Sequence, residues 1–244
     1  MAVFETSPRR WAGSHGIIRR KPILIAVVST PVWNDVADAY DRWAASYDAD
    51  RNVTRDLDAT VVRRVPLALE GRDVLELGCG TGKNTIFLAE RARRVVAMDF
   101  SAGMIARAHT RIVTPNVEFR HHDVREVWPV PAASVDVVVG NLILEHVHDL
   151  AVIFFETARV LRPNGQAFFC ELHPHRQLLG SQAQFVDPRT GERVCVAAHV
   201  HTVSEYVNGG IEAGLQLRSL GEWIEEEAPA EAPPRLISLL FSRV

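Results

Sequence analysis

From Val32 onward, large apolar side chains recur three or four positions apart, and Val36, Tyr40, Trp43 and Tyr47 fall on one helical face. A second helical stretch runs from Asn52 to Val65, where Pro66 stops it. The period then changes. Asp73-Val74-Leu75-Glu76-Leu77 reads as a buried strand running into Gly78, Gly80 and Gly82, with a helix to about Ala92 behind it. Strand Arg94–Phe100, helix Ala102–Ile112 capped by Ser101, strand Val117–Val124, strand Val135–Asn141, helix Leu150–Leu161 and strand Gln166–Leu172 follow, with a turn at Arg162-Pro163-Asn164-Gly165. Strands alternating with helices predict an α/β fold with a doubly wound, mostly parallel sheet. Beyond Pro174 the order differs. Gln182–Val186 and Arg193–Ala198 flank Asp187-Pro188-Arg189-Thr190-Gly191 as a hairpin over the sheet. A helix at Val203–Ala213 and strands Leu215–Trp223 and Arg235–Arg243 end the chain, with the acidic loop Glu225–Pro234 between the strands.

The 244 residues suit one such domain. Residues 1–30 carry no convincing period and are expected to form a loosely ordered basic extension, leaving 31–244 as the domain. Arg19-Arg20-Lys21 before the apolar Pro22–Val28 raises the question of a secretory signal, but the apolar run is short and Ser29-Thr30-Pro31 is a poor cleavage site. No run approaches the roughly 18 apolar residues of a membrane span. Cys79, Cys170 and Cys195 form no paired framework, which fits a reducing cytoplasm. A net charge of −3 and the lack of a basic stripe argue against nucleic acid as partner.

The glycine cluster after a buried strand is a nucleotide-cofactor turn. It is not a Walker loop, because Leu77 stands where the first glycine belongs and Asn84 replaces the Ser or Thr that would hold magnesium. Nor does G-x-G-x-G match the dinucleotide spacing. Glu76 at the strand tip would repel a pyrophosphate but attract the ammonium group of an amino-acid-bearing cofactor. Asp99, about 20 residues on, can accept hydrogen bonds from both ribose hydroxyls. Asp123 and Val124 end the third strand, placed for the adenine amino group and ring, and Asn141 ends the fourth beside the reacting end.

Val74-Leu75-Glu76-Leu77-Gly78-Cys79-Gly80-Thr81-Gly82 resembles motif I of the class I S-adenosylmethionine-dependent methyltransferases. Val95–Ser101, Arg120–Val124, Val135–Glu145 and Leu161–Gly165 are similar to that family's later motifs, in order. Tyr40-Asp41-Arg42-Trp43-Ala44-Ala45-Ser46-Tyr47-Asp48 resembles the Y-D-x-x-A-x-x-Y-D helix of its bacterial small-molecule members, which include quinone-biosynthesis and malonyl-carrier-protein methyltransferases. The resemblance covers about residues 32–172. It implies a seven-stranded sheet with the last strand antiparallel, to which the residue pattern adds an N-terminal helical cover and a hairpin lid. It also implies S-adenosyl-L-methionine as cofactor, held by Tyr40, Glu76, Gly78, Gly80, Thr81, Asp99, Met104, Asp123, Val124 and Asn141. Trp43 is read as packing, and Cys79 as a small filler of the turn rather than a nucleophile.

Histidines are the remaining chemistry. His146 follows the fourth strand, His173 and His175 the fifth, and His199 and His201 the hairpin, all near the strand C-termini where ligands bind in open α/β sheets. Two H-x-H pairs could ligate a metal, but neither HExxH nor C-x-x-C accompanies them, and no metal is expected. His146 and His173 are the candidate general bases. The expectation is a cytoplasmic enzyme, a monomer or homodimer, that methylates O, N or S of a small-molecule acceptor. A transfer-RNA or protein methyltransferase and a non-catalytic S-adenosylmethionine-binding domain are the alternatives.

Overall fold

The computed structural model describes residues 32–33, 35–49, 51–229 and 231–244; the expected basic extension, 1–30, lies outside them. The elements run β1 (Val32–Trp33), α1 (Val36–Trp43), α2 (Val53–Arg64), β2 (Asp73–Leu77), α3 (Lys83–Ala89), β3 (Arg94–Asp99), α4 (Ala102–Arg111), β4 (Val117–His121) and β5 (Val135–Asn141). A single 3-10 turn, Leu144–His146, precedes α5 (Leu150–Val160), β6 (Leu161–Leu172), α6 (Pro174–Leu178), β7 (Gln184–Val186), β8 (Arg193–Val196), α7 (Val203–Glu212), β9 (Leu215–Trp223) and β10 (Leu236–Arg243).

Seven strands form one sheet in the order β4-β3-β2-β5-β6-β10-β9. β2, β3, β4, β5 and β6 are parallel, while β10 runs antiparallel to both β6 and β9. The antiparallel last strand is therefore inserted beside β6 rather than placed at the edge. Helices cover both faces, as parallel strands require. Alternation along the strands divides the core: Leu75, Leu77, Met98, Val138 and Phe169 pack with Phe154 of α5 and Tyr206 of α7. Val74, Val95, Ala97, Val137, Val139 and Phe168 pack with Val61 and Val62 of α2 and Leu88 of α3. Glu76, Asp99 and Asn141 share the parity of this second set, so strand geometry alone sends the polar strand tips toward the α2–α3 side.

Three local differences from the sequence reading have physical causes. Leu161 already pairs with Val135, and pairing resumes at Gln166 with Val137, so Arg162–Gly165 is a bulge inside β6 with Asn164 at φ 64. Tyr47 lies in turns beyond α1 rather than on its helical face. The hairpin β7–β8 gains a third strand, β1, parallel to β8. Its Phe185, Val194 and Val196 bury against Ala39 and Trp43, which fastens the hairpin to the cover helix rather than to the sheet.

Candidate functional site

A cleft of about 950 Å3, counting its open mouth, lies at the C-terminal edge of β2, β3 and β5. It brings together Tyr40, Glu76, Gly78, Gly80, Thr81 and Asp99 with Met104, Asp123, Val124, Asn141 and His146. The requirements for glycine at positions 78 and 80 differ. A Cβ on Gly78 (φ +65) would sit 2.0 Å from Ile143 Cγ2, so this glycine lets the loop after β5 pack on the turn. A Cβ on Gly80 (φ +54) would meet nothing within 4 Å, leaving that stretch of backbone approachable by a ligand.

The floor is acidic and buried. Asp99 is 5% exposed and accepts from the Gly80 N–H (2.8 Å) and the Ser101 N–H (2.9 Å), bracing the turn as well as facing the cleft. Burial pushes its carboxyl up to about 6. Glu76 accepts from the Thr85 hydroxyl at 2.6 Å, and burial pushes it up to about 8. Asp58 of α2, buried likewise, accepts from the side-chain amides of Asn84 (2.8 Å) and Asn141, and burial raises it too. Three carboxylates kept from water, with Lys83 drawn off to Asp56, make a site that gains by taking in a positive charge. Among the described residues no group of three metal-ligating side chains exists.

The two Tyr-Asp pairs divide their labour. Asp41 accepts from the Ser101 hydroxyl (2.6 Å) and the Gly103 N–H (2.8 Å), and Asp48 accepts from the Thr81 hydroxyl (2.8 Å). The aspartates thus dock the cover on α4 and the glycine turn, while Tyr40 and Tyr47 face the cleft. Thr81 spends its hydroxyl on that docking. Asp123 is engaged by Arg125, which donates to both its carboxylate oxygens.

His146 is placed by the 3-10 turn. Its Nδ1 lies 2.9 Å from the Ala197 carbonyl, which can only accept, so Nδ1 carries the proton of the neutral ring. Nε2 is then the acceptor for the Tyr40 hydroxyl at 2.9 Å. The structure does not bring His173 to the cleft. It caps α6, accepting from the His175 N–H at 3.1 Å, and its Nε2 pairs with Glu222 at 2.9 Å, so both ring nitrogens are committed to structure. His201 hydrogen-bonds the Val147 carbonyl, and His199 stands exposed beside His148.

A second cavity adjoins the first, and the two share Tyr40, Tyr47, Arg55 and Leu142 as wall. Glu145, Gln182 and Arg235 face only this chamber. Glu145 is 5% exposed, raised by burial, and held by the Gln177 side-chain amide at 3.1 Å. Glu171, fully buried in β6, accepts from the Ile143 and Leu144 N–H groups and fixes the loop that carries Glu145 and His146. The sequence reading missed Asp58, Glu145, Glu171 and Arg55. The signals were present for two of them. Asp58 falls at i, with Val61, Val62 and Val65 at i+3, i+4 and i+7, so it is an acid on an apolar helical stripe. Glu171 interrupts the buried run Phe168-Phe169-Cys170.

A doubly wound sheet with a glycine turn, an acidic floor and a helical cover defines a Rossmann-like nucleotide-cofactor protein. Residues 75–169 match the methyltransferase domain family. A probable S-adenosylmethionine-dependent methyltransferase of Mycolicibacterium smegmatis is 44% identical over 105 residues, 43% of this chain and 40% of that one. The malonyl-[acyl-carrier protein] O-methyltransferase of Serratia marcescens is 33% identical over 180 residues, 68% of each chain. Among solved structures, the DhpI-SAM-HEP complex superposes with a TM-score of 0.66 at 25% identity, over 85% of this chain and 95% of that one. This chain belongs to the S-adenosylmethionine-dependent methyltransferases, enzymes whose cofactor the acidic floor fits by charge. Among the described residues no helix is long and apolar enough to cross a membrane.

Proposed function

We propose that this enzyme transfers a methyl group from S-adenosylmethionine to an oxygen, nitrogen or sulfur atom of a small-molecule acceptor seated in the second chamber. The observation that carries the reading is the shared wall: a cleft with a cation-seeking floor lies beside a separate chamber, with Tyr40, Tyr47, Arg55 and Leu142 lining both. The Serratia relative is named for O-methylation of a malonyl group, which favours oxygen among the three atoms. The cofactor supplies an electrophilic methyl group on a sulfonium.

In this reading Asp99 holds the ribose hydroxyls, Glu76 and Asp58 face the cationic amino-acid end with Asn141 beside it, and Gly78 and Gly80 shape the turn. Val124 and Met104 pack on the adenosine, and Asp123 meets the adenine amino group in competition with Arg125. Cover and hairpin exclude water, so alignment and desolvation supply most of the acceleration. Where the acceptor arrives protonated, His146 Nε2 takes the proton through the Tyr40 hydroxyl, which already donates to it.

Incubating the full chain with trideuteromethyl-labelled cofactor and fractionated cell extract tests the function. Labelled products are expected in the small-metabolite fraction. Label confined to RNA or protein would move the acceptor to a macromolecule. Binding of S-adenosylhomocysteine with no transfer to any fraction would make the chain a cofactor-binding domain only.

A further inference from the structure

The 3-10 turn that carries His146 is three residues long, too short to hold an imidazole in one place by its own hydrogen bonds. It is held from two sides. From the sheet, the Glu171 carboxylate accepts from the Ile143 N–H (3.2 Å) and the Leu144 N–H (3.1 Å), which fixes the entry to the turn. From outside, the segment 197–201 that leads from β8 to α7 takes hold of its exit. The Ala197 carbonyl accepts from His146 Nδ1 at 2.9 Å, and the His199 N–H donates to the Glu145 carbonyl at 2.7 Å. His201 Nε2 lies 2.8 Å from the Val147 carbonyl.

Of the three bonds from this segment, only the last is made by one of its side chains. A carbonyl can only accept, so His201 Nε2 carries the proton. The ring is 6% exposed, and Tyr206 of α7, buried in the same core as Phe154, stands 5.8 Å from it. The segment is tied at both ends. Upstream, Val194 and Val196 of β8 bury against Ala39 and Trp43 of α1, the helix that carries Tyr40. Downstream, Thr202 caps α7 in a reciprocal box with Glu205. The partners of both His146 nitrogens therefore arrive on one unit: Tyr40 on the cover for Nε2, and Ala197 behind the hairpin for Nδ1. If the turn slipped, Nδ1 would lose the carbonyl that keeps the proton there, and the ring would be free to turn an N–H rather than a lone pair toward Tyr40.

We propose that His201 is a positioning residue for proton removal: by gripping the Val147 carbonyl it locks the exit of the turn, so that Nδ1 of His146 stays on Ala197 and Nε2 stays an acceptor. This rests on the reading in which His146 takes the acceptor's proton through Tyr40. His201 lines neither the cleft nor the chamber, so it acts through Val147 and not by contact with a ligand.

Nitrogen NMR of the full chain bearing isotope-labelled histidine reads the tautomer directly, at about pH 8, where imidazole is ordinarily neutral. The His146 signals are those missing from His146→Gln. His201→Phe keeps a ring and removes the donor, whereas His201→Gln restores an N–H of similar reach. In the unaltered chain Nδ1 should carry the His146 proton. In His201→Phe that tautomer should give way to a mixture. Transfer of the trideuteromethyl group to the small-metabolite fraction should slow about 10- to 100-fold, with S-adenosylhomocysteine affinity within about twofold of the original. His201→Gln should recover the tautomer and most of the rate. A folded His201→Phe with tautomer and rate unchanged overturns the proposal. So does a slowed rate with an unchanged tautomer, which would make His201 a matter of stability alone. Should His201→Phe not fold, His201→Asn, whose amide is too short to reach Val147, is read in the same way. A proton on Nε2 in the unaltered chain would instead remove the base reading beneath the proposal and leave the methyltransferase standing.

Discussion

The cleft proposed for the cofactor and the chamber proposed for the acceptor share four wall residues, yet they are assembled in different ways. The cleft is built from strand tips: Glu76, Asp99 and Asn141 end β2, β3 and β5 on the same parity as the valines that pack beneath α2. Each polar residue there stands within a few positions of the apolar run that fixes its direction. The chamber draws on Tyr40, Trp43, Tyr47, residues 51–55, Leu142, Glu145, Leu172, residues 181–184 and Arg235, segments far apart in the chain that meet only once the cover helix and hairpin have docked. A sheet edge can therefore bind one cofactor repeatedly through evolution, while the loops above it are free to change the acceptor.

The histidines give the largest expected effect that can break this contrast. His146 lines the first cleft beside Tyr40 of the shared wall, and His173 belongs to the scaffold. His146→Ala should lower turnover by about 10²–10⁴ for an acceptor that arrives protonated, and change S-adenosylhomocysteine affinity only a few-fold. His173→Ala should lose a helix cap and the hydrogen bond to Glu222, lowering the melting temperature by the equivalent of about 1 kcal/mol, with turnover unchanged. Steady-state kinetics beside thermal melts read both. The reverse pattern would put catalysis in the segment after β6 and undo the placement of the base.

A second pair of variants separates a glycine that serves packing from one that serves the ligand. Gly78→Ala drives a methyl into Ile143 and should cost stability, about 1–3 kcal/mol by overpacking and more for its positive φ. Gly80→Ala carries the strain of its positive φ but meets no atom, so beyond that strain its cost should fall on cofactor affinity. Asp99→Ala should weaken S-adenosylmethionine by about 2–3 kcal/mol, roughly 30- to 150-fold. Unchanged calorimetric affinity in the Asp99 variant would take it out of the ribose site.

The same contrast explains how far the sequence could be read. The alternation of strands and helices, the glycine turn and the strand-end positions of Glu76 and Asp99 are local consequences of period and spacing, and they hold in the structure. The cover's two aspartates were legible as a pattern but not as anchors, because their partners Thr81, Ser101 and Gly103 lie 33 to 62 residues away. His173 misled for a plain reason. It leaves the correct edge of the sheet, but Glu222 of β9 lies within reach of its ring, and nothing in the spacing of residues 173 and 222 announces that contact. Arg55 joins the wall only because the chain turns between α1 and α2, and one-dimensional periodicity does not encode that turn.

The smallest effect concerns protons. Burial raises Glu76 from an ordinary 4.5 to about 8 and Asp99 from 3.8 to about 6. In the unfolded chain both are ionised above about pH 5, whereas the folded, cofactor-free protein keeps Glu76 protonated until about pH 8. The folded state therefore holds more protons than the unfolded one between about pH 4.5 and 8, and its stability falls as pH rises through that window. A bound ammonium or sulfonium reverses the balance by favouring the ionised carboxylates. Cofactor binding should then release protons, and affinity for S-adenosylhomocysteine should climb from pH 6 to 8 by less than about tenfold per unit for one such group. Calorimetry in two buffers of different ionisation enthalpy counts the released proton directly. Glu76→Gln should flatten the slope above pH 6 while leaving the part below it, which belongs to Asp99. A flat profile in the unaltered protein would mean that Glu76 never meets the cationic end of the cofactor, and would leave Asp58 as the acid that does.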